Sequence, residues 1–348
     1  MSGLFVYKHA EAVRAQGCDV RVLFSQGWFD TWRQWRALQR SGWMPDVVQL
    51  NVIQKQGLLA LWLKRHYAIP YIIIEHWSGY LPENGMFRRF PRFKQRILRR
   101  ICHEAEAVLP VSLPLQRAMQ ACGMEARRWD TIDNVVDGFF FEDRYQVRPR
   151  TKTAARSDQE QRPKILLHVS CFDERAKNVE GLLRAAKMLS EKRQDWRLVL
   201  VGTGINYKDV RAYAQTLGIP EGMLEWTGEL TPQQVAHAMQ QADALVLSSR
   251  YETYGVVLAE AAAAQLPVVS TPVGIAEETG ALIVSQEIAQ HKPGKFAEFM
   301  EAALWSKDRY QVRPRTKTAA RCDQDRFTKE AIGKKLKTVY DSCLHRDI

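Results

Sequence analysis

Short apolar runs rich in strand-forming residues alternate along the chain with longer stretches in which apolar residues recur every three or four positions. The first pattern predicts buried strands and the second predicts amphipathic helices. The chain opens on a helical stretch, Ser2–Gly17. Predicted strands follow at Asp19–Phe24, Asp46–Asn51, Tyr71–His76, Ala107–Ser112, Asp130–Val136, Lys164–Ser170, Trp196–Gly202, Leu224–Gly228, Ala244–Ser249 and Pro267–Thr271. Regular alternation of strand and helix predicts parallel sheets with helices on both faces.

The polar and charged segment 141–162 interrupts this alternation and predicts a linker between two domains. Residues 1–140 and 163–307 each have the pattern of an α/β domain with a Rossmann-like, doubly wound parallel sheet. Residues 308–326 form a second interruption, and residues 327–348 are predicted as a final helix. A chain of 348 residues with 46% hydrophobic residues is long enough for two cores of this kind.

The formal net charge of +11 has an unusual source. A segment of fourteen residues, DRYQVRPRTKTAAR, occurs twice, at Asp143–Arg156 and Asp308–Arg321. Each copy holds five basic residues and one acidic residue, so the two copies supply +8 and the rest of the chain is only mildly basic. We interpret the copies as insertions at tolerant surface positions. Two other readings remain open: basic arms for phosphate or anionic lipid, and a basic nucleic-acid-binding protein.

Cysteine usage and hydropathy bear on the type of site and on location. The six cysteines are scattered without the spacing of metal ligands, so neither a zinc site nor a disulfide framework is indicated. No apolar run approaches 18 residues, and the N-terminus lacks the sections of a signal peptide. We therefore expect a cytoplasmic protein without a metal site.

The most informative stretch is Arg250–Gly274, in which two glutamates stand eight positions apart across a strand-to-helix turn. The start of a helix presents unpaired N–H groups and attracts phosphate, and Gly255 would let the backbone approach closely. Glu252 precedes the helix and Glu260 lies two turns into it, so their carboxylates could accept hydrogen bonds from hydroxyls at two places along a long phosphorylated ligand. The alternative is that Glu252 is a solvated loop residue and Glu260 a surface position on an alanine-rich helix.

Two further features are candidates for function. His76 ends a predicted strand, where open α/β sheets place ligand-facing groups, although single histidines are often structural. The segment Phe87–Ile101 holds seven basic residues and no acid, interleaved with aromatic and aliphatic residues. Its apolar residues either pack inward or, as an interfacial helix, dock on anionic lipid.

The order SCFDERAKN, LVLVGTG, EWTG and ADALVLSSRYETYGVVLAEAAAAQLPVVSTPVG resembles the donor half of glycosyltransferase family 4. The resemblance implies the GT-B fold, in which two Rossmann-like domains face each other. It also implies a retaining glycosyltransferase that uses a nucleoside-diphosphate sugar, without a metal cofactor. The acceptor would be a glycan or lipid-linked molecule in cell-envelope polysaccharide synthesis.

The same resemblance implies roles for individual residues. Glu252 would contact the transferred sugar, and Glu260 the ribose. Lys177 matches the phosphate-binding lysine, and His76 the acceptor-side histidine; with Glu252 these are the predicted catalytic residues. The other predicted donor-binding residues are Gly255, Val256, Arg175, Gly202 and Thr227.

The family's opening strand and glycine-rich loop have no counterpart before Ser2. We therefore expect a first domain that is truncated at its start. An inactive glycosyltransferase-like protein that still binds nucleotide is the main alternative to an active enzyme.

Overall fold

The computed structural model describes residues 3–24, 27–142, 162–305 and 325–344. Both copies of the repeated segment lie outside these residues. The chain divides into two compact units: unit 1 comprises Met1–Val135 with Arg326–Ile348, and unit 2 comprises Val136–Asp325.

Unit 1 is built around three parallel strands in the order β1-β2-β3, with helices between them in sequence. All five residues of the central strand β2 are buried, as the apolar run YIII predicts. The elements in chain order are α1 (Leu4–Arg14), α2 (Trp28–Arg40), β1 (Val48–Asn51), α3 (Gly57–Tyr67), β2 (Tyr71–Glu75), a 3-10 turn (Ser78–Tyr80), α4 (Met86–Arg89), α5 (Arg92–Glu104), β3 (Ala107–Pro110), α6 (Leu113–Ala121) and the C-terminal helix (Lys329–Leu344).

The C-terminal helix packs closely against α1. A methyl group added at Gly333 would stand 2.3 Å from the carbonyl oxygen of Ala12, so the two helix backbones approach at a position where only hydrogen fits. Ile332, Leu336 and Val339 bury their side chains on the same helix. The end of the chain thereby contributes to the core of unit 1.

Two predicted strands of unit 1 are wrong. Residues 19–24 are irregular, and Val22 and Phe24 are exposed at 47% and 70%. The reason is that a strand needs a pairing partner, and this segment forms no ladder with any strand in the described part of the chain. Residues 130–136 form no regular strand either. The N–H groups of Asp130 and Ile132 donate to the Val108 and Pro110 carbonyls of β3, but the pairing amounts to one isolated bridge, between Trp129 and Val108. The Asp130 carboxylate accepts from the N–H of Thr131 instead of leaving that group for a ladder.

Unit 2 contains six parallel strands in the order β6-β5-β4-β7-β8-β9. The five strands predicted for this half are all present, with shifts of one or two residues at the ends, whereas β9 was not predicted. Its elements in chain order are a 3-10 turn (Gly138–Phe141), β4 (Lys164–Val169), α7 (Glu174–Lys177), α8 (Val179–Lys192), β5 (Trp196–Val201), α9 (Tyr207–Thr216), β6 (Leu224–Gly228), α10 (Pro232–Gln241), β7 (Ala244–Leu247), α11 (Val256–Ala263), β8 (Val268–Ser270), a 3-10 turn (Glu277–Thr279), β9 (Leu282–Ile283), α12 (Gln286–His291) and α13 (Pro293–Trp305).

The strand order of unit 2 places a topological switch point between β4 and β7. From β4 the chain proceeds to β5 on one side, whereas β7 pairs with β4 on the other side. The loops that leave the carboxyl ends of β4 and β7 therefore lead the chain toward opposite edges of the sheet. Open α/β sheets bind ligands in the crevice at such a point.

Candidate functional site

Lys177 and Glu252 meet at the switch point of unit 2. The Nζ of Lys177 lies 2.5 Å from Oε1 of Glu252, and the two side chains are only 15% and 14% exposed. Burial lowers the pKa of Lys177, but the neighbouring Glu252 carboxylate more than compensates, so that the pKa is raised overall. Lys177 is therefore charged at neutral pH and forms an ion pair with the Glu252 carboxylate. The structure thus joins two residues that stand 75 positions apart in sequence.

The backbone around Lys177 is fixed by residues that follow β7. The hydroxyl of Ser248 donates to the carbonyl of Lys177 at 2.9 Å. The N–H of Arg250 donates to the carbonyl of Ala176 at 2.7 Å, and its guanidinium binds the Glu174 carbonyl. These contacts hold α7 against the end of β7 and so position the ammonium group.

Arg250 also ties down the turn that follows Lys177. Its Nη2 donates to Oδ1 of Asn178 at 2.9 Å and lies 3.5 Å from the Glu174 carboxylate. Asn178 adopts the left-handed conformation between α7 and α8, with φ of 50°. Burial raises the pKa of Glu174 although the Arg250 guanidinium opposes this. The sequence reasoning named Arg250 only as the start of its key stretch and missed this role.

Gly255 precedes α11, which begins at Val256 as the phosphate-site hypothesis requires. Gly255 has φ of +78°, and a Cβ at this position would stand 2.7 Å from Cδ1 of Leu258. The residue is therefore required both for the backbone conformation and for space. Glu260 lies on the second turn of α11 and is partly exposed.

The remaining predicted donor-binding residues lie on neighbouring loops. Gly202 follows β5, and a Cβ there would approach the Ser170 carbonyl oxygen to 1.9 Å, so the β4 and β5 loops touch through their backbones. Thr227 lies near the end of β6, and its hydroxyl donates to the Gly228 carbonyl at 3.0 Å. Arg175 is on the same helical turn as Lys177 and is exposed. Within the predicted set, the structure brings Lys177 and Glu252 into direct contact.

In unit 1, His76 follows directly after β2. Phe5 stacks on its ring at 5.4 Å, and His9 lies 5.9 Å away. Burial, with a smaller contribution from His9, lowers the pKa of His76 to about 3, so the imidazole is neutral. Its Nε2 is buried and has no hydrogen-bond partner among the described residues.

Glu75, which the sequence reasoning missed, holds the backbone around His76. This fully buried carboxylate accepts hydrogen bonds from the N–H groups of Ile53, His76 and Trp77, each at 2.9 Å. Burial raises the pKa of Glu75 to about 7 although the three donors oppose this. An acidic residue inside the apolar run YIIIEH was the available signal, because a buried charge needs dedicated partners.

The segment Phe87–Ile101 buries some of its apolar side chains and leaves others exposed. Phe87, Leu98 and Ile101 are buried, which anchors α4 and α5 to unit 1. Phe93 and Ile97, one turn apart, are 66% and 40% exposed. We define the basic face as the following exposed side chains of this segment: Arg88, Arg89, Arg92, Phe93, Lys94, Arg96, Ile97 and Arg100.

The described ranges contain neither a candidate metal site nor a candidate membrane span. No group of three or more His, Cys, Asp or Glu side chains there is arranged to hold a metal ion. None of the helices in those ranges is long and apolar enough to cross a membrane.

Two family models match consecutive parts of the chain. The model described as Glycosyltransferase Family 4 matches residues 13–138, and the model described as Glycosyl transferases group 1 matches residues 149–318. Among curated proteins, the alpha-monoglucosyldiacylglycerol synthase of Streptococcus pneumoniae is 24% identical over 234 residues, which are 64% of this chain and 52% of that protein. The chain spans about half or less of the length of the curated relatives that it matches.

Solved structures of glycosyltransferases share the fold. The sucrose-phosphate synthase of Thermosynechococcus elongatus has a TM-score of 0.73 at 17% identity, with 98% of this chain and 93% of that chain covered. The Anabaena protein HepE, in complex with UDP and glucose, has a TM-score of 0.69 at 17% identity, with 98% and 96% covered. These likenesses confirm the predicted GT-B fold class. Together with the two family models, they show that the chain belongs to glycosyltransferase family 4.

Proposed function

We propose that the protein transfers a sugar from a nucleoside-diphosphate sugar to a glycan or lipid-linked acceptor, with retention of the anomeric configuration. The observation that carries the proposal is the Lys177–Glu252 pair at the switch point of unit 2. A cation and a carboxylate side by side match a ligand in which a diphosphate adjoins a sugar. No described residue of this site is an evident protein nucleophile.

In this proposal the leaving diphosphate is stabilised electrostatically. Lys177 and the N–H groups at the start of α11, at Gly255 and Val256, neutralise the charge that develops as the sugar–phosphate bond breaks. In many enzymes, preorganised donors of this kind contribute more to the rate than any other effect. Because these groups suffice for the neutralisation, we propose that the reaction needs no metal ion. Activity that is lost with EDTA and restored by Mg²⁺ would contradict this part.

The other residues are assigned to substrate recognition. Glu252 accepts from hydroxyls of the transferred sugar, and Glu260 from the ribose. Gly202, Thr227 and Arg175 complete the surface for the nucleotide. For the acceptor side we propose His76, whose buried Nε2 lacks a partner in the described part of the chain. UDP-glucose is the first donor to test, because HepE has been solved with UDP and glucose.

Binding and turnover are tested separately. Titration calorimetry with UDP, GDP, ADP and their glucose conjugates identifies the nucleotide, and Lys177→Ala is expected to weaken binding at least about tenfold through loss of a partly buried charge. Lys295→Ala, at a lysine 62% exposed on α13, is the matched control. Glu260→Ala should lower affinity in the same way; unchanged affinity would mean that Glu260 does not hold the ribose.

Turnover is measured as release of nucleoside diphosphate with glycan and lipid-linked acceptors, and the anomeric configuration of the product by NMR. An inverted product would reject the retaining mechanism. Specific nucleotide binding without turnover on any acceptor would favour the alternative of an inactive, nucleotide-binding relative. Salt-sensitive binding to nucleic acid in place of nucleotide would favour the remote alternative.

We further propose that the acceptor lies at a membrane and that the basic face docks on anionic lipid. Exposed Phe93 and Ile97 lie among arginines, and the segment Phe87–Ile101 contains no acid. Each basic residue near an anionic surface contributes about 1 kcal/mol, and the two apolar side chains add burial. This placement would suit the synthesis of a cell-envelope polysaccharide.

Co-sedimentation with vesicles tests the docking. Phosphatidylglycerol-containing vesicles should bind the protein, and purely phosphatidylcholine vesicles should not. Phe93→Ser combined with Ile97→Ser should weaken binding, whereas Lys292→Glu combined with Lys295→Glu on unit 2 should leave it unchanged. Equal binding by both double variants, or none by the wild type, would reject the basic face as a lipid-docking surface.

A further inference from the structure

The carboxylate of Glu252 has two donors on one oxygen. Oε1 accepts from Nζ of Lys177 at 2.5 Å and from the hydroxyl of Ser249 at 2.8 Å. One donor is a charged group on a flexible four-carbon chain, and the other is a neutral group on a one-carbon side chain. The two donors therefore differ in how readily they can change partner.

Ser249 is held rigidly. The residue is fully buried just after β7. Its carbonyl accepts from Oγ1 of Thr271 at 2.6 Å and from Nε2 of Gln286 at 2.9 Å, so the end of β8 and the start of α12 fix its backbone. The hydroxyl is thereby kept at one position relative to the Glu252 loop, whatever partner Lys177 binds.

We propose that Ser249 is a positioning residue for Glu252, and that Lys177 exchanges the carboxylate for the donor diphosphate when the nucleotide sugar binds. This inference rests on the proposed function, in which Lys177 neutralises the diphosphate. A diphosphate carries more negative charge than one carboxylate, so it competes effectively for the ammonium group. Ser249 keeps the released carboxylate in place.

Through this exchange, Glu252 would also discriminate between a free nucleoside diphosphate and a nucleotide sugar. A nucleoside diphosphate without a sugar binds Lys177, and the largely buried Glu252 carboxylate then keeps only the neutral Ser249 donor of the two. A nucleotide sugar also binds Lys177, but its sugar hydroxyls donate hydrogen bonds to the Glu252 carboxylate. Glu252 therefore disfavours the free diphosphate and favours the complete donor, which also assists release of the product nucleotide.

Calorimetry and the turnover assay on three variants test the exchange, with the diphosphate and nucleotide sugar that the wild type binds. Glu252→Gln removes the competing charge, so the diphosphate should bind about tenfold more tightly, while the nucleotide sugar gains less. Ser249→Ala should leave the diphosphate affinity within about twofold but lower kcat about tenfold, because the carboxylate loses its fixed donor. Ser190→Ala, at a buried serine on α8, is the matched control for the loss of a hydroxyl.

The outcomes separate this inference from the proposed function. A wild-type protein that binds no nucleoside diphosphate would refute the proposed function and the exchange with it. A wild-type protein that binds the diphosphate, with Glu252→Gln binding it equally or more weakly, would refute the exchange alone. Thermal unfolding checks that each variant folds. Should Ser249→Ala fail to fold, the Glu252→Gln comparison still decides the exchange.

Discussion

Glu75 makes the stability of the protein depend on pH in a direction opposite to that of most carboxylates. Burial raises its pKa from the ordinary 4.5 to about 7 in the folded protein. Between these two values the folded state retains a proton that the unfolded state has lost. Stability must therefore fall as pH rises from 4.5 to 7, and stay level above pH 7.

The size of the effect follows from the two pKa values. At 1.36 kcal/mol for each pKa unit, ionisation of Glu75 removes about 3 kcal/mol of unfolding free energy across this window. Histidines act in the opposite sense over part of the same range, because burial lowers the pKa of His76 to about 3 and that of His168 to about 4. The pH profile of the wild type alone would therefore conceal the contribution of Glu75.

Glu75→Gln isolates the contribution, since the histidines are common to both proteins. The substituted side chain cannot ionise, but it places an amide where the carboxylate accepted three N–H groups, so a constant loss of stability is expected at every pH. The free energy of unfolding is measured in urea by tryptophan fluorescence at half-unit steps from pH 4.5 to 8. As pH rises through this range, the unfolding free energy of the variant should increase by about 3 kcal/mol relative to that of the wild type. This figure uses the same 1.36 kcal/mol for each pKa unit.

A difference between wild type and Glu75→Gln that stays constant with pH would refute the reasoning. It would mean that the three backbone donors, rather than burial, decide the pKa, and that Glu75 is ionised throughout.

Three further outcomes are expected. Gly333→Ala places a methyl group 2.3 Å from the Ala12 carbonyl and should separate the C-terminal helix from α1, lowering the unfolding free energy of the protein by about 1–3 kcal/mol in urea; no loss would show that the helices do not approach so closely. Gly255→Ala combines a positive φ with a 2.7 Å approach to Leu258, and should cost about 1–2 kcal/mol and weaken nucleotide binding at the same time; loss of one without the other would separate the fold of the loop from the site. Buried His168 remains neutral down to about pH 4, so stability should fall as pH drops from 6.5 to 4, by about 3 kcal/mol more in the wild type than in His168→Gln, and parallel pH profiles would refute this.

The sequence predicted five of the six strands of unit 2 because most of them are compact apolar runs between helices with clear ends. The helix α10 shows why: Thr231 and Gln234 form a capping box, and Pro232 occupies the first turn. Such signals are local and act wherever the segment is placed. The two-residue strand β9 was too short to stand out as an apolar run. The same reasoning failed at residues 19–24, because alternation of side chains indicates that a segment can be a strand but not that a partner is available.

The sequence by itself determined the alternating α/β architecture, the Glu252–Gly255–Glu260 spacing around a helix start, and the resemblance to glycosyltransferase family 4. Only the tertiary structure decided which of these groups touch. Lys177 and Glu252 meet because β4 and β7 are neighbours in the sheet, a fact of strand order that no local pattern encodes. The hydrogen bond from Ser249 to Glu252 and the burial of Glu75 likewise depend on how the fold packs separate segments together. Burial matters because hydrogen bonds and charges interact more strongly inside a protein than in water.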